Sequence, residues 1–152
     1  LKFGEQKRVF SMIPALKNAE FVRYGVMHRN TFLDSPRLLD ATYALKSDPR
    51  IRFAGQMTGV EGYVESTASG WVAGVATAMD VLGKSMPTLD RLTAIGALAT
   101  YISDHTVAKF QPMNVNFGII EPLGYKIKGK REKNTKISER ALEQIEKLKG
   151  EL

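Results

Sequence analysis

The stretch FAGQMTGVEGYVES, residues 53–66, has the residue types and spacing with the clearest chemical potential in this sequence. It contains three closely spaced glycines, Gly55, Gly59 and Gly62. They follow a short apolar segment and precede a long helical pattern, where free N–H groups at a helix N-terminus can meet a ligand. The spacing Gly-x-x-x-Gly-x-x-Gly differs from the Gly-x-Gly-x-x-Gly pattern that binds a dinucleotide pyrophosphate.

Two acidic residues of the same stretch, Glu61 and Glu65, would repel a phosphate but favour the start of a helix. A ligand of this loop is therefore expected to be mostly neutral and to gain from hydrogen-bond donors. A flavin ring has these properties, because its pyrimidine edge is polar and N1 becomes anionic on reduction. The alternative is a tight structural turn whose glycines serve geometry alone, and the pattern by itself favours that turn.

Histidines give a second, weaker indication of chemistry. His28 is followed by Arg29 and Asn30, three side chains that can stack on or hydrogen-bond a flat heterocycle. A lone histidine is more often a packing or capping residue. His105 beside Asp104 is expected to end a helix, without a functional role. The two histidines lack metal-ligand spacing, so no metal site is expected.

Basic residues are concentrated towards the end of the chain, which has a net charge of +6 over 152 residues. Residues 126–152 hold nine Lys or Arg and five Asp or Glu, a net of +4. The basic residues at its start are Lys126, Lys128, Lys130, Arg131 and Lys133. Such a run is usually a solvated connection, and the functional alternative is salt-dependent contact with an RNA backbone.

Hydrophobic periodicity predicts the elements that position these residues. Residues 5–13 indicate a helix that ends before Pro14, residues 20–32 an extended segment, and residues 34–50 a loop with short turns. A strand is expected at 51–55. A buried helix is predicted over 63–83, with a stripe of small residues for close packing: Ser66, Gly70, Gly74 and Ala78.

Two more helices are predicted towards the end of the chain. One follows a capping Thr93, and an amphipathic one covers 132–149, with an apolar stripe of Ile137, Ala141, Ile145 and Leu148. Between them, residues 109–124 are expected to form a packed or site-lining loop. The chain has no cysteine, which excludes disulfides and thiolate chemistry within it. No apolar run is long enough to span a membrane and no signal peptide is recognised, so a cytoplasmic location is expected.

Four motifs together resemble a known family: GEQKRVFSMIP, RYGVMHRNTF, FAGQMTGVEGYVES and FQPMNVNFG. In this order they are similar to the C-terminal part of the folate- and FAD-dependent tRNA (uracil-5-)-methyltransferases, TrmFO. The resemblance covers essentially the whole chain and about a third of the family's length. The related MnmG (GidA) family of tRNA-uridine modifying enzymes shares a version of the glycine loop.

The resemblance implies an α/β fold, the C-terminal portion of a glutathione-reductase-like FAD-binding fold. It implies formation of 5-methyluridine in the T-loop of tRNA, with methylenetetrahydrofolate as carbon donor, reduced FAD as reductant and NAD(P)H to restore it. The flavin ring would meet Gly55, Gln56, Met57, Thr58, Gly59, Gly62 and Tyr63. His28, with Arg29 and Asn30, would face the folate. A side chain at Gly59 is expected to crowd the ring.

Parts of the family pattern are missing, namely the N-terminal dinucleotide-binding glycines and the catalytic cysteine. The chain is therefore expected to be inactive alone and to need the N-terminal remainder of the same protein. Residues 1–125 would belong to the FAD- and folate-binding domain, and residues 126–152 would form a basic connection and helix. The alternatives are an MnmG-like flavoprotein and a non-enzymatic RNA-binding module.

Overall fold

The computed structural model describes residues 1–25 and 31–151. The three residues predicted to face a folate, His28, Arg29 and Asn30, lie outside this range. The chain divides into two compact units, Leu1–Asn30 and Thr31–Leu152. The predicted functional boundary at residue 125 stays a prediction.

The first unit has a short helix, α1, at Phe3–Phe10, and a single turn of 3-10 helix at Pro14–Leu16. Gln6 is buried, and its side-chain amide donates to the carbonyl oxygens of Leu1 (2.9 Å) and Gly25 (3.0 Å). These bonds hold the ends of the described segment together. The predicted helix and its end before Pro14 are confirmed, whereas residues 20–25 of the expected extended segment form no strand.

The second unit is a small α/β unit that combines helices with a two-stranded antiparallel sheet, which agrees with the predicted class at that coarse level. Its elements are α2 (Ser35–Leu38), β1 (Ala44–Leu45), β2 (Asp48–Arg52), a 3-10 helix (Gly55–Thr58), α3 (Tyr63–Val81), α4 (Ala94–Ser103) and α5 (Lys130–Glu151). The long helices and the Thr93 cap are confirmed, because the Thr93 hydroxyl accepts from the Gly96 N–H at 2.9 Å.

A strand was predicted at 51–55, but β2 begins earlier, at Asp48, and ends at Arg52. Its pairing with β1 was not predicted, and the expectation of a loop over 34–50 is wrong for its second half. Leu45 pairs with Asp48 and Ala44 with Arg52. The turn before it is fixed by the Asp40 carboxylate, which accepts from the backbone N–H groups of Thr42 (2.8 Å) and Ala44 (3.0 Å). Pro49 obscured the strand in the sequence, although proline is tolerated in a strand at a sheet edge.

Helix α3 buries a different face from the one expected. Its buried residues are Ser69, Val72, Ala73, Ala76 and Met79. Gly70 and Gly74 of the small-residue stripe are exposed, and a Cβ built on either would meet nothing within 4 Å. The expected close packing of that stripe is therefore wrong for this unit. The larger apolar side chains Val72 and Met79 bury more area, so they face the core instead.

The core of the second unit is formed by residues from several elements: Leu39, Tyr43, Val60, Val72, Ala73, Leu98, Ala99, Ile102 and Phe110. A smaller cluster joins Ala97 and Ile120 to Ile137 of α5. Arg140 of α5 donates to the carbonyl oxygens of Glu121 and Pro122. These contacts attach α5 to the loop that precedes it.

Candidate functional site

The glycine loop, defined here as Gly55–Gly62, is held against the segment around Met113. The Met113 N–H donates to the Gly59 carbonyl oxygen and the Glu61 N–H donates to the Met113 carbonyl oxygen, both at 3.0 Å. These bonds form a one-residue parallel bridge between Val60 and Met113. The motif FQPMNVNFG therefore lies beside the loop, which confirms that residues 109–124 pack as an ordered loop.

Gly59 is required by packing. Its φ of +86° favours glycine, and a Cβ there would lie 2.3 Å from Cζ of Phe110. Phe110 is itself buried and its ring packs against Tyr101 and Phe32, at centroid distances of 5.4 and 6.0 Å. A side chain at Gly59 would therefore displace Phe110. The expectation that it would crowd a bound ring is wrong, because its Cβ direction points into the protein.

Hydroxyl groups close the first half of the loop. The Gly55 N–H donates to Oγ of Ser69 at 2.7 Å, and that hydroxyl donates to the Ser66 carbonyl oxygen at 2.7 Å. The Thr58 hydroxyl donates to the Gly55 carbonyl oxygen at 2.7 Å, and Thr58 is fully buried. The Thr58 hydroxyl therefore donates its hydrogen bond within the turn, and Thr58 would contribute to a ligand site only indirectly.

The first turn of α3 contains a negatively charged side chain, the Glu65 carboxylate. Gly62, at φ +94°, precedes the helix, and a Cβ on it would lie 2.1 Å from a carboxylate oxygen of Glu65. The Asn114 amide donates to the other oxygen of Glu65 at 3.5 Å. A carboxylate in the first turn complements the helix dipole. It also repels a phosphate, in agreement with the expectation of a mostly neutral ligand.

Several groups of the predicted site remain open to a ligand. The side chains of Gln56 and Met57 are exposed, and Tyr63 is 96% exposed. The first N–H groups of a helix have no acceptor within it. Those of Tyr63, Val64 and Glu65 find no other acceptor in the described parts of the chain. These donors and the Gln56 amide suit the carbonyl and nitrogen acceptors on the edge of a neutral ring.

The predicted RNA-contact residues lie just before and within the first turn of α5. All five are exposed: Lys126, Lys128, Lys130, Arg131 and Lys133. None of them forms an ion pair with residues 1–25 or 31–151. The next basic residue, Lys136, donates to the Glu139 carboxylate at 2.8 Å, and this hydrogen bond raises the pKa of Lys136.

Among the described residues, two further groups of titratable side chains surround His105 and Asp104. His105 lines a hollow of about 360 Å³ with Asp34 and Arg37. Thr106 donates from its hydroxyl and its N–H to the Asp104 carboxylate, which lowers the pKa of Asp104. The described residues contain no group of three or more His, Cys, Asp or Glu that could hold a metal ion. Within the same residues, no helix combines the length and apolar character needed to cross a membrane.

Sequence reasoning missed the partners that shape the loop, chiefly Ser69, Phe110 and Asn114. The sequence signal for these residues was weak. A single bridge such as Val60–Met113 produces no hydrophobic periodicity, and a buried serine such as Ser69 cannot be told from other small residues in a helix. The alternation of polar and apolar residues over 111–117 was the available indication of a site-lining segment.

Comparison with known proteins identifies the family. The family model for glucose inhibited division protein A matches residues 1–85, more than half of the chain. The chain belongs to this family. The matched region of this GidA-family chain includes α1, the hairpin, the glycine loop and all of α3.

Curated relatives resemble the GidA-family chain over nearly its whole length. Proteins named methylenetetrahydrofolate–tRNA-(uracil-5-)-methyltransferase TrmFO are 63% identical in Acetivibrio thermocellus, 61% in Streptococcus agalactiae and 57% in Listeria monocytogenes. The matches cover 93%, 97% and 100% of the chain and 33%, 34% and 35% of the relatives. The resemblance inferred from four motifs is confirmed. The chain spans about a third of the length of these relatives.

Proposed function

We propose that this chain is part of an enzyme that forms 5-methyluridine in tRNA, with methylenetetrahydrofolate as carbon donor and reduced FAD as reductant. The observation that carries the proposal is the identity of 57–63% to relatives named for this reaction. The activity belongs to the longer polypeptide, of which the chain supplies the flavin-ring and folate side. An MnmG-like activity is less favoured, because these relatives carry the methyltransferase name.

Bound FAD would supply the reducing equivalents that convert a transferred methylene group to a methyl group. The residues proposed to hold its ring are Gly55, Gln56, Met57, Gly59, Gly62 and Tyr63, with Thr58 supporting the turn from behind. The open donors at the start of α3 support this role, since they can hydrogen-bond a neutral ring edge. The Glu65 carboxylate supports it as well, because it makes the same position unfavourable for the FAD phosphates.

The folate role of His28, Arg29 and Asn30 rests on the resemblance of RYGVMHRNTF to the family. An imidazole can stack on a pterin, while a guanidinium and an amide can hydrogen-bond its polar edge. In the longer polypeptide, His28→Ala is expected to reduce folate-dependent methyl transfer more than FAD content. Equal methyl-transfer activity in the variant and the wild type would reject the folate role.

The tRNA contact is proposed for the basic residues at positions 126–133. Five basic residues and one acidic residue give this segment a net charge of +4, and the basic side chains are solvent-exposed. Such a segment suits a phosphate backbone and predicts binding that weakens as salt rises.

The wider proposal concerns the parts that the longer polypeptide would add. It would complete a glutathione-reductase-like fold, provide the dinucleotide-binding glycines for the FAD phosphates, and bring the family's cysteine. NAD(P)H would restore the reduced flavin. A cytoplasmic location follows from the proposed tRNA substrate.

The flavin assignment is tested by FAD content in a full-length polypeptide that carries this chain. Gln56→Ala removes an exposed amide from the proposed ring site and is expected to weaken FAD binding about fivefold, the effect of one lost hydrogen bond. Val81→Ala, at an 82% exposed position at the opposite end of α3, is the control and should leave FAD affinity within twofold. Equal FAD affinity in the two variants would refute the assignment of the loop.

A further inference from the structure

An apolar groove lies between α4 and α5, separate from the glycine loop. Its volume is about 460 Å³, within the range of pockets that bind small molecules. It is lined by the start of α4, the loop around Phe117 and one face of α5, including Ile95, Val115, Phe117, Ile120, Ala141 and Leu142. Phe117 and Leu142 remain 44% and 66% exposed, so residues 1–25 and 31–151 leave apolar surface of the groove open.

The groove continues into a basic hollow at the N-terminal end of α5. Lys130, Arg131 and Glu139 line this hollow, so its two cations outnumber its one carboxylate. The hollow shares Ser138 and Leu142 with the groove. Lys130, Asn134, Ser138 and Leu142 are spaced four residues apart, so they lie along one face of α5. That face therefore changes from cationic to apolar over about 18 Å, the rise of twelve helical residues.

This charge gradient specifies the chemistry of the occupant. The apolar part suits a flat, weakly polar group, and the cationic part suits anions joined to that group. A row of exposed cations over residues 126–133 matches a polyanionic chain better than a single carboxylate. Unpaired nucleotides of RNA have both properties, because each carries a base with a π face and a phosphate.

We infer that the groove between α4 and α5 receives an unpaired base of an RNA substrate, while Lys130 and Arg131 contact the adjoining phosphates. Phe117 offers an aromatic ring to the base and Leu142 covers it from α5. This inference rests on the proposed tRNA substrate and adds a base-binding subsite to the proposed phosphate contact. It is independent of the flavin and folate assignments.

The test measures binding of the full 152-residue chain to short single-stranded oligouridine and to an abasic strand of the same length and charge. The wild-type chain is expected to bind oligouridine at least about fivefold more tightly, the lower end of the effect of stacking one base. Leu142→Asn should remove this preference and leave the affinity for the abasic strand unchanged. The variant adds no charge, so it does not alter long-range attraction.

Leu82→Asn is the matched control, because Leu82 follows α3, is 68% exposed and does not line the groove. It should keep the preference for oligouridine. Thermal unfolding of each variant checks that the fold is retained. Lys130→Gln with Arg131→Gln should weaken binding of both strands and reduce the salt dependence.

Four results would overturn the inference. Equal affinity of the wild type for the two strands would mean that the chain contacts only phosphates. The same result is expected if a peptide segment occupies the groove. An equal loss of the preference for oligouridine in Leu142→Asn and Leu82→Asn would show that the groove does not bind the base. If only the basic-residue variant lost affinity, the base subsite would be wrong while the proposed RNA contact stood. Absence of any RNA binding would refute both.

Discussion

The glycine loop, Gly55–Gly62, and the basic segment, residues 126–133, both lead into a long helix through a glycine with positive φ. Gly62 has φ +94° before α3, and Gly129 has φ +100° before α5. Their surroundings differ, because a Cβ on Gly62 would meet Glu65 and Asn114, whereas one on Gly129 would meet nothing within 4 Å. A glycine with positive φ thus precedes a long helix in a crowded turn and in an open one.

The difference shows how each region is specified. The glycine loop is fixed by hydrogen bonds and close packing, which leave a few groups exposed in defined positions. The basic segment has many exposed charges and few internal contacts. Substitutions in the loop should therefore change stability, and substitutions in the basic segment should change interactions with other molecules.

The largest expected difference is between Gly59→Ala and Gly129→Ala. Both place a side chain at positive φ, which costs about 1–2 kcal/mol. Gly59→Ala also forces its Cβ against the buried Phe110 ring, and such overpacking costs a further 1–3 kcal/mol, roughly. Urea unfolding should therefore show a markedly larger loss for Gly59→Ala. Equal losses for the two variants would contradict the packing role of Gly59.

The next effect concerns the serine that closes the loop. Ser69→Ala leaves the Gly55 N–H without its acceptor and should destabilise the chain by about 1–3 kcal/mol. Thr67→Ala removes an exposed hydroxyl that donates to the Tyr63 carbonyl oxygen on the same helix, and its effect should stay within about 0.5 kcal/mol. If thermal unfolding ranked the two variants in the opposite order, the loop would not depend on Ser69.

Acidic residues in the two first turns give a smaller effect. Glu65→Gln and Glu132→Gln should each cost about 0.3–1 kcal/mol at low salt, because each removes a charge that complements a helix dipole. At about 1 M salt the cost at exposed Glu132 should vanish, while part of that at the less exposed Glu65 persists. Loss of both effects at high salt would indicate that Glu65 is as solvated as Glu132.

The smallest effect on stability is expected in the basic segment. Lys130→Gln with Arg131→Gln should change the free energy of unfolding by less than about 0.5 kcal/mol. The slope of log affinity for single-stranded RNA against log salt should fall by about 1.4, from two lost phosphate contacts. Lys147→Gln with Lys149→Gln removes equal charge from the other end of α5 and should leave the slope unchanged. Equal slopes in both double variants would contradict an RNA contact localised at residues 126–133.

The sequence predicted the elements whose signals are local. Helix α3, the Thr93 cap of α4 and the amphipathic α5 follow from periodicity and capping, and the structure confirms them. The hairpin was missed because β2 contains Pro49 and because the turn before β1 is held by the Asp40 side chain, a contact that produces no periodicity. The buried face of α3 was misjudged because small residues indicate possible close packing without showing which neighbour is present.

The candidate site was predictable in its centre and not in its support. The glycine spacing correctly indicated a turn at a helix N-terminus. That the two acids make it unfavourable for phosphate stays a prediction. The role of Gly59 could not be inferred, because it depends on a contact with Phe110, which is distant in sequence. The role of Ser69 could not be inferred either, because it depends on the hydrogen bond that the Gly55 N–H donates to its hydroxyl. Family resemblance supplied the flavin and folate, which residue types alone left open.

The central claim is that the glycine loop meets a ring and not a phosphate. It is tested most directly by titrating a full-length polypeptide that carries this chain with riboflavin, which has the ring and no phosphate, and with ADP, which has phosphates and no flavin ring. Gln56→Ala should weaken riboflavin binding about fivefold and leave ADP binding within twofold. A variant that weakened ADP binding and left riboflavin binding unchanged would contradict the claim.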